Sequence, residues 1–259
     1  MFGSRFAYWQ VFLLLFGLTC LNPGPLLAAE KAPNLDKVVA FLDQLFRSKT
    51  SISSIEMEVT TPNWERSMTM ELYTAGMDKT FVRIHSPKKD KGVATLRVSA
   101  EMWNYFPKIN KVMKVPPSMM MSSWMGSDFT NDDLVKETSL LEDYNAKMLP
   151  PDVLNPQVLS VELTPKANTA TVWGKIVILG DKDTWIPFEE VFYDEKGQAM
   201  RVMKLLEVKK FGDKTMPSVM EIVPLNKEGH KTRIVYKSAQ FDIKLPEDTF
   251  SLRNLQRQQ

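Results

Sequence analysis

From Ile52 to Asp242 the chain repeats one pattern: apolar and polar residues alternate over short runs, and turn-forming residues separate the runs. A period of two puts successive side chains on opposite faces of a strand, so this pattern predicts half-buried β-strands. Ile55, Met57 and Val59 alternate with Glu56, Glu58 and Thr60, and Met68, Met70 and Leu72 alternate with Thr69, Glu71 and Tyr73. Thr80, Val82 and Ile84 follow the same rule, as do Ala94, Leu96 and Val98, and runs at 102–106 and 112–115 complete the series. The separators are turn chemistry: Thr61-Pro-Asn, Ala75-Gly-Met-Asp, the lysine-rich Ser86 to Gly92, and Pro107-Lys-Ile-Asn-Lys. Together these predict an antiparallel meander. Six further runs, at 160–164, 171–179, 185–193, 199–211, 218–224 and 231–242, repeat the style with turns at Gly180, Asp194, Gly212 and Asn226. Helix–strand alternation is missing, which argues against a parallel α/β sheet and for a mainly β (α+β) antiparallel fold.

Two segments break the period. Residues 34–49 carry Leu35, Val38, Val39, Leu42, Leu45 and Phe46 at helical spacing, with Asn34 placed to cap the start after Pro33. Residues 118–156 alternate least. They open with four methionines and a tryptophan in the eight residues Ser118 to Met125, directly after Pro116-Pro117. Thr130 can cap a helical turn, with Asp133 three residues on. The segment is expected to be a loop with short helical turns that crosses an opening of the sheet.

The N-terminus reads as an export signal. Arg5 supplies the positive charge, Val11 to Leu21 the apolar core, and Ala28-Ala29 the small-residue end, giving cleavage after Ala28 or Ala29. The apolar core is shorter than the roughly 20 residues a spanning helix needs, although a retained anchor is the competing reading. Leu18-Thr19 before Cys20 is not the small-residue approach that lipidation requires. Cys20 is the only cysteine, so a mature chain from residue 30 would have no disulfide, thiol chemistry or cysteine-based metal site. With Arg5 removed, 32 of the 33 Lys and Arg face 31 Asp and Glu, a net charge of +1. That balance argues against nucleic acid as a partner.

Pro116 to Val135 closely resembles the motif of the LolA-like outer membrane lipoprotein-sorting protein family. Trp103 to Pro116 is similar to the strand pair preceding that motif, and Met216 to Tyr236 with Phe241 to Leu255 is similar to the family's C-terminal pattern. The resemblance implies a strongly curved, half-open antiparallel β-barrel wrapped around helices, with a lid-like central loop and an apolar concave face that takes acyl chains. The mature chain is longer than a LolA carrier, and that carrier's functional arginine is matched to no residue here. The implied protein is a monomeric periplasmic carrier or chaperone. It would move an acylated lipoprotein or a lipid towards the outer membrane, with transient membrane contact and with an inner-membrane exporter of ABC or RND type as a further partner. The same sheet could instead make the chain an accessory subunit that docks such an exporter.

Methionine adapts to apolar surfaces of varied shape, which suits a flap over a cavity that is empty at one time and filled at another. Met119, Met120, Met121, Trp124, Met125 and Phe129 are therefore expected to line or close the cavity mouth, with the alternative that they are core under a long loop. Pro116, Pro117 and Gly126 would be its hinges. Trp103, Tyr105 and Phe106 are candidates for the ligand face, with strand core as the alternative, since only one face of a strand can meet ligand. Catalytic and metal chemistry is not expected, nor is a cofactor. His85 and His230 lie far apart in sequence and read as surface groups. Asp128, Asp132 and Asp133 lack the ligand spacing of a calcium loop and read as capping and solubility residues. Glu189-Glu190 and Asp181 with Asp183 read as strand and turn surface. Lys88-Lys-Asp-Lys reads as a solvated turn, or as a contact to an anionic membrane.

Overall fold

The strands form one antiparallel sheet of thirteen in a computed structural model that describes residues 33–135, 139–169 and 171–257. The expected signal, 1–29, lies outside the described residues. The first meander is β1 (Thr50–Thr60), β2 (Glu65–Ala75), β3 (Lys79–Ser86), β4 (Ala94–Val98), β5 (Glu101–Phe106) and β6 (Lys111–Lys114). The second is β7 (Tyr144–Met148), β8 (Val158–Pro165), β9 (Lys175–Asp181), β10 (Pro187–Tyr193), β11 (Ala199–Phe211), β12 (Lys214–Pro224) and β13 (Lys231–Phe241). Every neighbour in the sheet is a neighbour in sequence except one: β1 pairs with β13 and joins the two meanders. The two outer edges are then β6 and β7, consecutive in the chain. The sheet is curved but not closed, a half-open barrel as expected, and the segment from β6 to β7 has to bridge its two free edges.

Register carries a single inner face from β2 through β1 and β13 to β8. Met57 opposes Met68 and Ile234, Ile234 opposes Met220, Ile222 opposes Met203, Glu190 opposes both Met203 and Ile178, and Ile178 opposes Val161. On the β7–β10 side this face buries Leu163, Ile176, Ile178 and Phe192 against Val38 and Val39 of α1 (Leu35–Gln44). Asn34 caps α1 by accepting from the Lys37 amide at 3.0 Å. At its other end Lys214 of β12 donates to the carbonyls of Gln44 and Arg47, satisfying acceptors a helix terminus leaves open. The outer face of β3–β5 has its own core, Phe81, Ala94, Leu96 and Tyr105, covered by Phe250 and by Leu255 of α4 (Leu252–Leu255). Arg83 fastens that strap through the carbonyls of Asn254 and Arg257.

Two expectations needed correction. The central region holds a short edge strand, β7, which five residues of weak alternation did not reveal. The strand expected from Thr171 begins only at Lys175. Gly174 approaches the next turn so closely that a Cβ there would lie 2.5 Å from the Asp194 carbonyl oxygen, and the chain bends at that point.

Candidate functional site

The bridging segment folds onto the inner face of the first meander. Two short helices, α2 (Asn131–Val135) and α3 (Leu140–Asp143), and a 3₁₀ turn at Pro117–Met119 interrupt it. Its large buried side chain is Trp124, 4% exposed, packed in a cluster that includes Met57, Met68, Met70, Val82, Ile84, Met102, Val115 and Ile234. The indole nitrogen donates to the Thr95 hydroxyl at 3.2 Å, so the polar end of the ring is also satisfied. Met120, Met125, Phe129 and Leu134 pack around it from the segment, and Met220 from β12. The contact between segment and sheet is therefore built largely from methionine on both sides, four of them fully buried on the strands. Unbranched thioethers can repack around a different occupant with small loss.

Polar ties hold the segment at several points. The Trp124 amide donates to the Phe129 carbonyl at 2.7 Å, and Ser127 Oγ donates to the Trp124 carbonyl at 2.7 Å. Asp128 and Thr232 of β13 bond reciprocally, at 2.9 and 2.8 Å. Arg66 of β2 donates to the Met125 carbonyl at 3.3 Å. Met125 and Gly126 are both left-handed, with φ of 52° and 79°. Gly126 adopts this without strain, whereas Met125 has a Cβ that disfavours it. Thr130 caps α2 as the spacing predicts: its hydroxyl accepts from the Asp133 amide at 3.0 Å, and its own amide donates to Asp133 Oδ2 at 2.9 Å.

The strongest tie joins the segment to the second meander. Arg201 of β11 donates both terminal nitrogens to Asp133, each at 3.0 Å, with the two side chains 12% and 14% exposed. The guanidinium also lies over Phe192 and Trp173, at 4.2 and 4.7 Å from the ring centroids. Burial pushes the Asp133 carboxyl up, but Arg201 and the Thr130 hydrogen bonds more than offset this and leave it below the usual carboxylate range. Glu190 is on the same inner face. Burial raises its pKa from 4.5 to about 7, against a smaller downward pull from Arg201. Glu190 was expected on the strand surface; register with Met203 and Ile178 turns it inward instead.

A raised carboxyl pKa has a definite sign. Between pH 4.5 and 7 folded Glu190 holds a proton that the unfolded chain has released, so its contribution to stability falls as pH rises through that window. Glu190→Gln should flatten this slope and stabilise the fold at pH 8 by up to about 3 kcal/mol while changing little at pH 4. Urea denaturation at both pH values measures it, and an equal shift at both would mean that the charge is not the cause.

Two cavities flank α1. One, of about 370 Å³, lies among Leu42, Phe46, Asp133, Tyr144, Trp173, Glu190, Phe192 and Arg201. The other, about 1320 Å³, exceeds the usual 300–1,000 Å³ of small-ligand pockets. Phe41, Leu45, Ile186, Phe211, Phe241 and Ile243 give it apolar walls, and Gln44, Lys49, Asp213 and Lys214 give it polar ones.

The structure divides the residues singled out from sequence. Trp124, Met120, Met125 and Phe129 converge on the inner face, while Met119 and Met121 point outward, 51% and 53% exposed. Trp103 and Tyr105 belong to the outer-face core under α4, Tyr105 fully buried with its hydroxyl on Asn110 at 3.0 Å. Phe106 is half-buried at the end of β5. Pro116 and Pro117 precede the packed stretch from Met120 to Phe129 and Gly126 lies within it, all three exposed. None of the nine apolar candidates lines either cavity; the segment's contributions are Asp133 and Leu140, both in the smaller one. Sequence reading missed Arg201, Glu190 and Trp173. The available signal was that a Glu and an Arg occupy the inward phase of β10 and β11. His85 faces Glu71 at 3.2 Å and His230 faces Asp128 at 3.7 Å, so both histidines have carboxylate neighbours.

Among solved structures, a DUF1329 family protein from Desulfovibrio piger superposes with TM-score 0.76 at 20% identity, over 85% of this chain and 97% of that one. A Vibrio parahaemolyticus domain assigned to outer membrane lipoprotein sorting gives 0.71 at 23% identity, over 86% and 100% of the two chains. A LolA superfamily protein from Nitrosomonas europaea gives 0.71 at 16%, over 86% and 100%. No curated protein matches the sequence. A family model described as "Uncharacterized protein" matches residues 76–257, from the turn before β3 to the C-terminal strap. With more than half of its length in that match, the chain belongs to this uncharacterized family, and its fold is the half-open LolA-like barrel.

Proposed function

We propose that this protein is a non-enzymatic periplasmic carrier that takes acyl chains of a lipoprotein or a lipid into the concave side of its sheet and moves them towards the outer membrane. The observation that carries the reading is the inner face itself: an apolar cluster on each meander, a cavity of about 1320 Å³ beside α1, and a methionine–tryptophan plug over the first meander. Burying an acyl chain contributes about 0.8 kcal/mol per CH₂, so even partial entry of a long chain gives firm binding. Displacing the plug offsets part of that gain and keeps release possible. Among the described residues no helix is long and apolar enough to cross a membrane.

Native mass spectrometry of the exported protein, followed by organic extraction, tests this. The expected result is a bound species in the acyl-lipid mass range, whose fragmentation names the cargo class. A protein that is free of lipid and stays so after incubation with vesicles would overturn the carrier reading and favour an accessory role on an ABC- or RND-type exporter.

A further inference from the structure

The antiparallel order places the β3–β4 and β5–β6 turns at the same end of the sheet, on adjoining hairpins. They touch: a Cβ on Gly92 would lie 3.3 Å from Cγ of Pro107. Between them they carry Lys88, Lys89, Lys91, Lys108 and Lys111, all exposed and none paired with a carboxylate. Asp90 is the one acid within the two turns, and Arg66 holds it at 2.6 Å. Ile109, at the tip of the second turn, is 65% exposed. In a chain whose charges almost cancel, five unopposed lysines around an exposed isoleucine form a segregated basic face.

We propose that these two turns dock the protein on a bilayer of anionic phospholipid. Lysines near such a surface attract it cumulatively, and an apolar tip among them can enter the headgroup layer. The same end of the sheet carries the plug's strained bend. Arg66, which neutralises Asp90 in the basic face, also donates to the Met125 carbonyl in the bend. Docking therefore takes place one side chain away from the segment that covers the inner face. This placement deepens the carrier reading and rests on it for its purpose, but the binding is measurable without it. The most exposed apolar pair among the described residues, Val153 at 93% and Leu154 at 87%, sits at the opposite end of the strands, between β7 and β8, and serves as a control.

The test is sedimentation of the full exported protein with vesicles of phosphatidylcholine alone or mixed with phosphatidylglycerol, at low and high salt. Wild type should bind the anionic vesicles and lose them in high salt. Replacing the five lysines with glutamine should lower that partition by on the order of 100-fold or more, with unchanged melting temperature. Leu154→Glu should leave vesicle binding intact. Equal binding to both vesicle types, no change in the five-fold variant, or loss of binding in Leu154→Glu would each overturn the docking face. Anionic binding by a protein that never holds lipid would support the face while removing the carrier function.

Discussion

Arg201→Ala should destabilise the protein by about 3–5 kcal/mol in urea denaturation. The size follows from burial. Both partners of the Arg201–Asp133 pair are shielded from water, the contact is bidentate, and the arginine is sandwiched on two aromatic rings. Removing the cation leaves an uncompensated carboxylate beside Glu190, in a site that already disfavours charge. Replacing both partners with apolar residues, Arg201→Met with Asp133→Leu, should recover most of the loss, because the desolvation cost goes with the charges. The pH dependence has the opposite sign to that of Glu190. Asp133 is held below its ordinary value, so its contribution is complete above pH 3.8 and is lost as pH falls through the lower folded value. The pair also determines how tightly the bridging segment is closed. Arg201→Ala should speed amide exchange in α2 and its flanks without affecting the outer-face core under α4. A single-variant cost below about 1 kcal/mol would mean that the pair is not effectively buried.

The alternation of apolar residues was enough to read nearly every strand, because a one-residue slip would turn Met57, Met68 and Met70 outward together. The half-open closure follows less directly. Local patterning identifies two meanders, but the β1–β13 pairing that joins them spans almost the whole chain and leaves no local mark. Once that pairing is known, the bridging role of residues 116–143 is a topological necessity, and its reading as a segment across an opening agrees with it. The site was harder. Composition pointed to the methionine run, yet neighbours in sequence went different ways: Met120 inward, Met119 and Met121 outward. The strand methionines that complete the plug looked like ordinary core. Arg201 and Glu190 were hidden because a charged residue in a strand usually marks the solvent side; only the phase of Phe192 and Met203 around them shows the reverse. Trp103 and Tyr105 have the correct period for a ligand face but lie on the wrong side of β5, since the C-terminal strap gives the outer face a core of its own.

Trp124→Ala separates a displaceable plug from fixed core. Its indole is almost fully buried in the apolar cluster of the first meander, so truncation should cost about 3–5 kcal/mol. Fixed core predicts only that loss. A plug predicts a second effect of opposite sign. If the segment competes with acyl chains for the inner face, weakening its grip lowers the cost of displacement, and the fraction of purified protein that carries lipid should rise. Leu255→Ala on the outer face is the matched control: it opens a cavity of comparable consequence, about 2–5 kcal/mol, in a cluster that shares no residue with the plug. Lipid occupancy that rises in Trp124→Ala and stays level in Leu255→Ala identifies the tryptophan as the competitor of the ligand. Occupancy unchanged in both variants makes the methionine–tryptophan contact plain packing. In that case the apolar-walled cavity beside α1, which the segment does not line, is left as the place where acyl chains are held.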